Sequence, residues 1–208
     1  FLINPFGLYY SEVTASNLVK IDLEGNNVGD SNYPVNRAGF VIHSAIHSAR
    51  DDAHCIMHTH TTEGMAVSCK EEGLAYNNFY GAALEGKLAY HDFEGITVHD
   101  DEKTRLIASL GNKNALMLRN HGLLSCGTTL GRAFSTLRWL QRACEVQVVT
   151  DSMSGRDIQL SSTTRGKSAE VALNFDRTEE QNDREFEALV RRMETVKRGE
   201  YGWIDYRC

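Results

Sequence analysis

The sequence predicts an α/β fold, with helices packed on a mixed or antiparallel sheet in an αβα-like sandwich. Short apolar runs that read as buried strands, such as Ala53–His58 and Ala115–Leu118, alternate with stretches of helical periodicity. Neighbouring strands are also joined by short turns, as between Leu118 and Leu123. A parallel pair needs a crossover of a dozen or more residues, so a mixed or antiparallel sheet is expected ahead of a pure doubly wound one. With 208 residues, 41% hydrophobic and 24% charged, the chain has an ordinary globular balance and the size of one domain.

Residues 1–24 alternate and carry β-branched and aromatic side chains, with turn signals at Asn4-Pro5 and Glu24-Gly25-Asn26-Asn27. Short strands and turns are expected there. Asn36 can cap a helix to about Arg50, with Phe40, Ile42, Ala45 and Ile46 as its apolar surface. Ala53–His58 is the first core strand, followed by a helix from about Glu63 to Lys70. Gly86–Tyr90 and Ile96–Val98 read as strands, and Asp100 as the cap of a helix to about Leu110, closed by Gly111-Asn112. Ala115–Leu118 and Leu123–Cys126 are two more strands. A long helix starts at Thr128, with Leu130, Ala133, Phe134, Leu137, Leu140, Ala143, Cys144 and Val148 on one stripe. Residues 151–175 read as a polar irregular connection, before a charged helix from about Glu179 to Arg198 and an aromatic tail with Tyr201, Trp203 and Tyr206.

The formal net charge of −6 disfavours nucleic acid or an anionic membrane as partner, since both need a clustered basic face. No apolar run approaches the ~20 residues that span a bilayer. The opening Phe1-Leu2-Ile3-Asn4-Pro5 lacks the regions of a signal peptide and reads as a strand entered midway, so residues ahead of Phe1 are expected. The five cysteines are dispersed, with no CxxC pair. Free thiols in a reducing cytoplasm fit this pattern better than a disulfide framework.

The sharpest local feature is His58-Thr59-His60 at the end of a strand. Residues two apart in an extended chain point to the same side, so both imidazoles can face one ion. Neutral imidazole suits zinc and related first-row metals. His121, in Arg119-Asn120-His121-Gly122, ends another apolar strand. Three histidines with one open position are the catalytic pattern for zinc. His43 and His47, four apart on the first helix, read as a helix face packed on the sheet; His91-Asp92 reads as an exposed turn.

Seven segments occur in order: Asn4-Pro5-Phe6-Gly7, Glu12-Val13-Thr14-Ala15-Ser16, Ala38-Gly39-Phe40, His58-Thr59-His60, Leu88-Ala89-Tyr90-His91-Asp92, Arg119-Asn120-His121-Gly122 and Ala143-Cys144-Glu145-Val146-Gln147-Val148. Together they resemble the class II aldolase/adducin family, and its adducin head-domain branch more than the sugar-phosphate aldolases. The resemblance implies a three-layer αβα sandwich with a mostly antiparallel central sheet, a homotetramer, and Zn2+ or another divalent first-row metal on His58, His60 and His121. It also implies cleavage or epimerisation of phosphorylated sugars, or decarboxylation, through a metal-stabilised enediolate or carbanion.

In the enzymes of that family a Glu or Asp nineteen residues ahead of the first metal histidine moves the proton; here Gly39 stands at that position. Arg37 and Ala38 likewise replace the phosphate-gripping serine pair. Glu63, near the HxH loop, and Tyr80, where the family brings a tyrosine from a neighbouring subunit, are the candidate catalytic replacements. Two functions are therefore expected to compete. One is a metal-dependent lyase or decarboxylase acting on a small, anionic, oxygenated substrate. The other is a catalytically inactive adducin-like scaffold. A cytoplasmic location, with no nucleic acid or membrane partner, goes with both.

Overall fold

Asn36 holds an extended conformation while its side-chain oxygen accepts from Ala38 N, and a helix starts where the sequence places one. In the computed structural model, which describes residues 1–96, 101–176 and 179–195, this is one of seven α-helices among the described residues. The elements in chain order are β1 (Leu2–Ile3), β2 (Val19–Lys20), α1 (Arg37–Ala49), β3 (Cys55–Thr59), α2 (Thr62–Ser68) and α3 (Phe79–Leu84). They continue with β4 (Leu88–His91), α4 (Glu102–Leu110), β5 (Ala115–Leu118), β6 (Gly122–Gly127), α5 (Leu130–Ser152), α6 (Ser162–Asp176) and α7 (Glu179–Thr195).

The chain folds as two compact units, Phe1–Ala53 with Glu94–Ser109, and His54–Phe93 with Leu110 onward. In the first, β1 and β2 pair antiparallel, with Ile3 opposite Val19. Ile3, Val19, Ile21, Phe40 and Val41 close into a small core, so the alternation of residues 1–24 is a real strand signal. The strands are only two residues each because Pro5 offers no N–H to continue the ladder.

The second unit holds a four-stranded sheet in the order β3-β6-β5-β4. β6 pairs antiparallel with both β3 and β5, while β5 and β4 are parallel. The sheet is thus mixed and mostly antiparallel, as expected. Every residue of β5 is buried, which is why that strand reads as a continuous apolar run and not an alternating one. Thr129 caps α5 by accepting from Arg132 N, and the predicted stripe packs inward through Leu137, Leu140, Ala143 and Cys144. They meet Val67 of α2, Leu84 of α3, and Leu88, Ala115, Met117 and Leu123 from three strands.

Residues 151–175 differ from expectation. They are not irregular throughout, since α6 occupies Ser162–Asp176. Its start is an ordinary one that polar composition hid: Ser161 Oγ accepts from Thr164 N at 3.1 Å. Helix α3 is also absent from the sequence reading. Of the expected strand Ile96–Val98, Ile96 lies in a bend and the rest lies outside the described residues, as do Asp100 and the aromatic tail. Among the described residues no helix is long and apolar enough to cross a membrane.

Candidate metal centre

The strand pairing of β3 and β6 places His58 opposite Leu124. His58 Nδ1 lies 2.9 Å from the carbonyl oxygen of Leu123. A carbonyl only accepts, so Nδ1 carries the proton and, in the neutral ring, Nε2 carries the lone pair. That Nε2 sits 2.7 Å from Nε2 of His60, one residue beyond the end of β3. Two lone pairs at this distance repel unless a proton or a cation lies between them.

His121 reaches the same place from the turn joining β5 to β6. Its N–H donates to Leu118 O at 3.1 Å, and Asn120 adopts φ 56°, the left-handed conformation that a tight turn needs. Gly122 follows because nothing larger fits: a Cβ there would lie 2.3 Å from Thr59 O. The ring centroids of the three histidines are 4.6, 4.8 and 4.7 Å apart, each pair edge-on. Their ligand nitrogens all lie within 4.8 Å of one another. A tetrahedral zinc with bonds of ~2.0–2.1 Å sets its ligand atoms roughly 3.3–3.4 Å apart, wider than the 2.7 Å between His58 and His60 and inside the 4.8 Å limit of the cluster. Burial holds the His60 pKa below the usual histidine value. Burial first, then the nearby His60 and His91, lowers His121 to about 4. Both shifts favour the neutral ring, the form that binds a metal.

The supports of this cluster are mostly backbone. Asn120 N donates to Ser68 O at 3.2 Å and Arg119 N to His91 O at 2.8 Å. The Arg119 guanidinium lies 4.3 Å over the Tyr90 ring and donates to Lys70 O at 2.6 Å. It fastens β5 to the loop after α2. Phe93 packs its ring 6.3 Å from that of His121. His91, expected in an exposed turn, is instead buried as the last residue of β4. Its influence on His121 makes it a neighbour of the cluster that the sequence did not reveal.

The structure thus brings His58, His60 and His121 together. The other two candidates are engaged elsewhere. Glu63 stands in the first turn of α2, three residues after His60, and accepts from Gln141 Nε2 at 3.3 Å. Tyr80 on α3 packs against Phe79 and Trp139, with ring centroids 5.4 and 5.3 Å away, and Arg142 lies 5.6 Å over its ring. Gly39, the third residue of α1, has room around it: a Cβ would approach Asn36 and Ile3 only to 3.9 Å. His43 and His47 are neighbours on α1, ring centroids 6.2 Å apart, and both pack with Phe1.

Residues 1–148 match the profile of the Class II Aldolase and Adducin N-terminal domain. The chain is 50% identical over 158 residues to alpha-adducin of Rattus norvegicus, a match covering 74% of this chain and 21% of that one. A solved aldolase II superfamily protein from Pseudomonas syringae superposes with a TM-score of 0.87 at 40% identity, over 93% of this chain and 77% of that one. The L-fuculose 1-phosphate aldolase of Glaciozyma antarctica gives a TM-score of 0.72 at 32% identity, over 81% of this chain and 66% of that one. The chain spans about three fifths of the length of the bacterial curated relatives it matches, 61% and 59%.

Proposed function

The chain belongs to the class II aldolase and adducin N-terminal domain family, and we propose that it is a divalent-metal-dependent carbon–carbon lyase or decarboxylase acting on a small oxygenated acid or sugar derivative. The observation that carries this reading is the convergence of His58, His60 and His121, with a lone-pair nitrogen of His58 aimed at His60. The three imidazoles would hold Zn2+ or a similar ion, which when bound stabilises the negative charge left as a bond beside a carbonyl breaks.

Proton transfer has to come from a residue other than Gly39. Glu63 is the nearer candidate along the chain, and its hydrogen bond to Gln141 would orient its carboxylate. Tyr80 would serve from a neighbouring subunit, which requires a homo-oligomer, with a tetramer favoured. Phe79 beside it is 75% exposed, an apolar ring suited to cover by another chain. A cytoplasmic location completes the reading.

A second reading, an inactive adducin-like scaffold, is favoured by Gly39 and by the 50% identity to alpha-adducin. Metal analysis of the purified protein, with a screen of hydroxy acids, keto acids and sugar phosphates, separates the two. Wild type is expected to retain near one equivalent of metal per chain. His121→Ala should abolish lyase turnover and weaken metal binding well beyond the roughly 10–100-fold cost of losing a supporting hydrogen bond, with the sheet still folded. Metal-free wild type that takes up no added zinc would defeat the lyase reading. Gly39→Glu should keep the metal and gain little sugar-phosphate cleavage, because Arg37 and Ala38 still replace the serines that hold the substrate.

A further inference from the structure

His60 lies past the last pairing of β3, which ends at Thr59 opposite Leu123, and it is exposed. The ladder that fixes His58 therefore does not fix His60. The next residue, Thr61, is held firmly. Its hydroxyl lies 2.5 Å from Gln141 Oε1 on α5 and also accepts from Gly64 N at 3.3 Å as the cap of α2. Gln141 Nε2 in turn lies 3.0 Å from Glu145 Oε1 and 3.3 Å from Glu63 Oε2. Ionised carboxylates only accept, so the amide nitrogen must face the two glutamates and the amide oxygen must face Thr61. One side chain thus grips the segment directly after His60 at two points, Thr61 and Glu63. Glu145 extends the network to Arg142, whose guanidinium lies over Tyr80.

We propose that Gln141 is a positioning residue for the histidine cluster, holding the His60–Glu63 turn so that His60 Nε2 faces His58 Nε2. The inference rests on the metal reading of the site. Gln141 makes no contact with the ion itself; it removes the freedom of a ligand that the sheet leaves loose, and it fixes the direction of the Glu63 carboxylate.

A structural role alone would look different, and α5 supplies the control. Gln147 is buried on the same helix; its Oε1 accepts from Ala75 N at 2.8 Å and its Nε2 donates to Gly73 O at 3.1 Å. It braces a loop without touching the histidine turn. The test compares Gln141→Leu, Thr61→Val and Gln147→Leu with wild type. Zinc affinity is read by competition with a chromophoric chelator, and ligand geometry by the visible bands of the Co2+ protein. Gln141→Leu should weaken zinc binding roughly 10–100-fold and shift the Co2+ bands. Gln147→Leu should lower the melting temperature at least as much yet bind zinc as wild type does. The effects of Gln141→Leu and Thr61→Val should be less than additive, because both break the same link. Gln141→Leu with wild-type zinc affinity and Co2+ bands would overturn the proposal.

If wild type binds no metal, the metal reading fails and the positioning claim is decided in the metal-free protein. Hydrogen exchange at the Gly64 and Met65 amides, which bond to Thr61 Oγ1 and Thr61 O, should then quicken in Gln141→Leu and not in Gln147→Leu. Unchanged exchange in Gln141→Leu would reject it.

Discussion

Gly122 is small because the carbonyl of Thr59 occupies the space where a side chain would begin. Any Cβ at this position must push β6 away from the end of β3, the two strands that set His58 and, through the turn, His60. Gly122→Ala is therefore expected to cost on the order of 1–3 kcal/mol, the usual range for overpacking, and to weaken metal binding as well. Urea unfolding and zinc competition measure both; wild-type values in both would mean the strand pair yields freely. The histidines themselves were legible in the sequence. An HxH at a strand end and a histidine before glycine at another are local patterns, and alternation supplies their direction. His91 and Gln141 were not legible. Burial of His91 depends on the parallel pairing of β4 with β5, and Gln141 matters only because α5 lies across the His60 turn, a contact between residues 80 apart at Thr61.

At the scale of elements, the strands of the sheet and the long helix could be read because each carries its own apolar pattern. Helix α3 could not. It has six residues, too few to display a period, and depends on one cap and on packing. Asn78 accepts from Gly81 N at 2.9 Å, while Ala82, Ala83 and Leu84 are buried. Asn78→Ala should cost about 1 kcal/mol, as loss of such a cap usually does, seen as a lower unfolding midpoint. A midpoint unchanged from wild type would show that burial alone keeps α3 in place. Helix α6 escaped notice for another reason. Its residues are polar on most sides, so no stripe distinguishes it from a connection, and its contacts run to α3 and α7. Arg165 of α6 lies 3.4 Å from Glu85 at the end of α3, so the two elements hidden from the sequence are tied to each other.

At the scale of the whole molecule, His43 and His121, the two of the three depressed histidines that fall to about 4, make stability depend on pH. Burial first, then the neighbouring His47, lowers His43 to about 4 from an ordinary 6.5. Burial and two other histidines do the same to His121. The unfolded chain takes up these protons near 6.5 while the folded chain refuses them until about 4. Their contribution is therefore full above 6.5, shrinks as pH falls through that window, and does not fall further below about 4. Urea midpoints of the metal-free protein should drop across this range, and His43→Gln should flatten part of the drop; equal slopes would remove His43 from the account. The hydrogen bond of His58 Nδ1 to the Leu123 carbonyl has a separate consequence in time. The two residues are 65 positions apart, and β6 must first thread between β3 and β5 before the rings can meet. A metal ion that needs all three rings would find no grip on a chain still searching for that arrangement. Under the proposed metal reading it would act as a latch on the finished molecule, slowing escape from the native state while leaving the speed of arrival untouched.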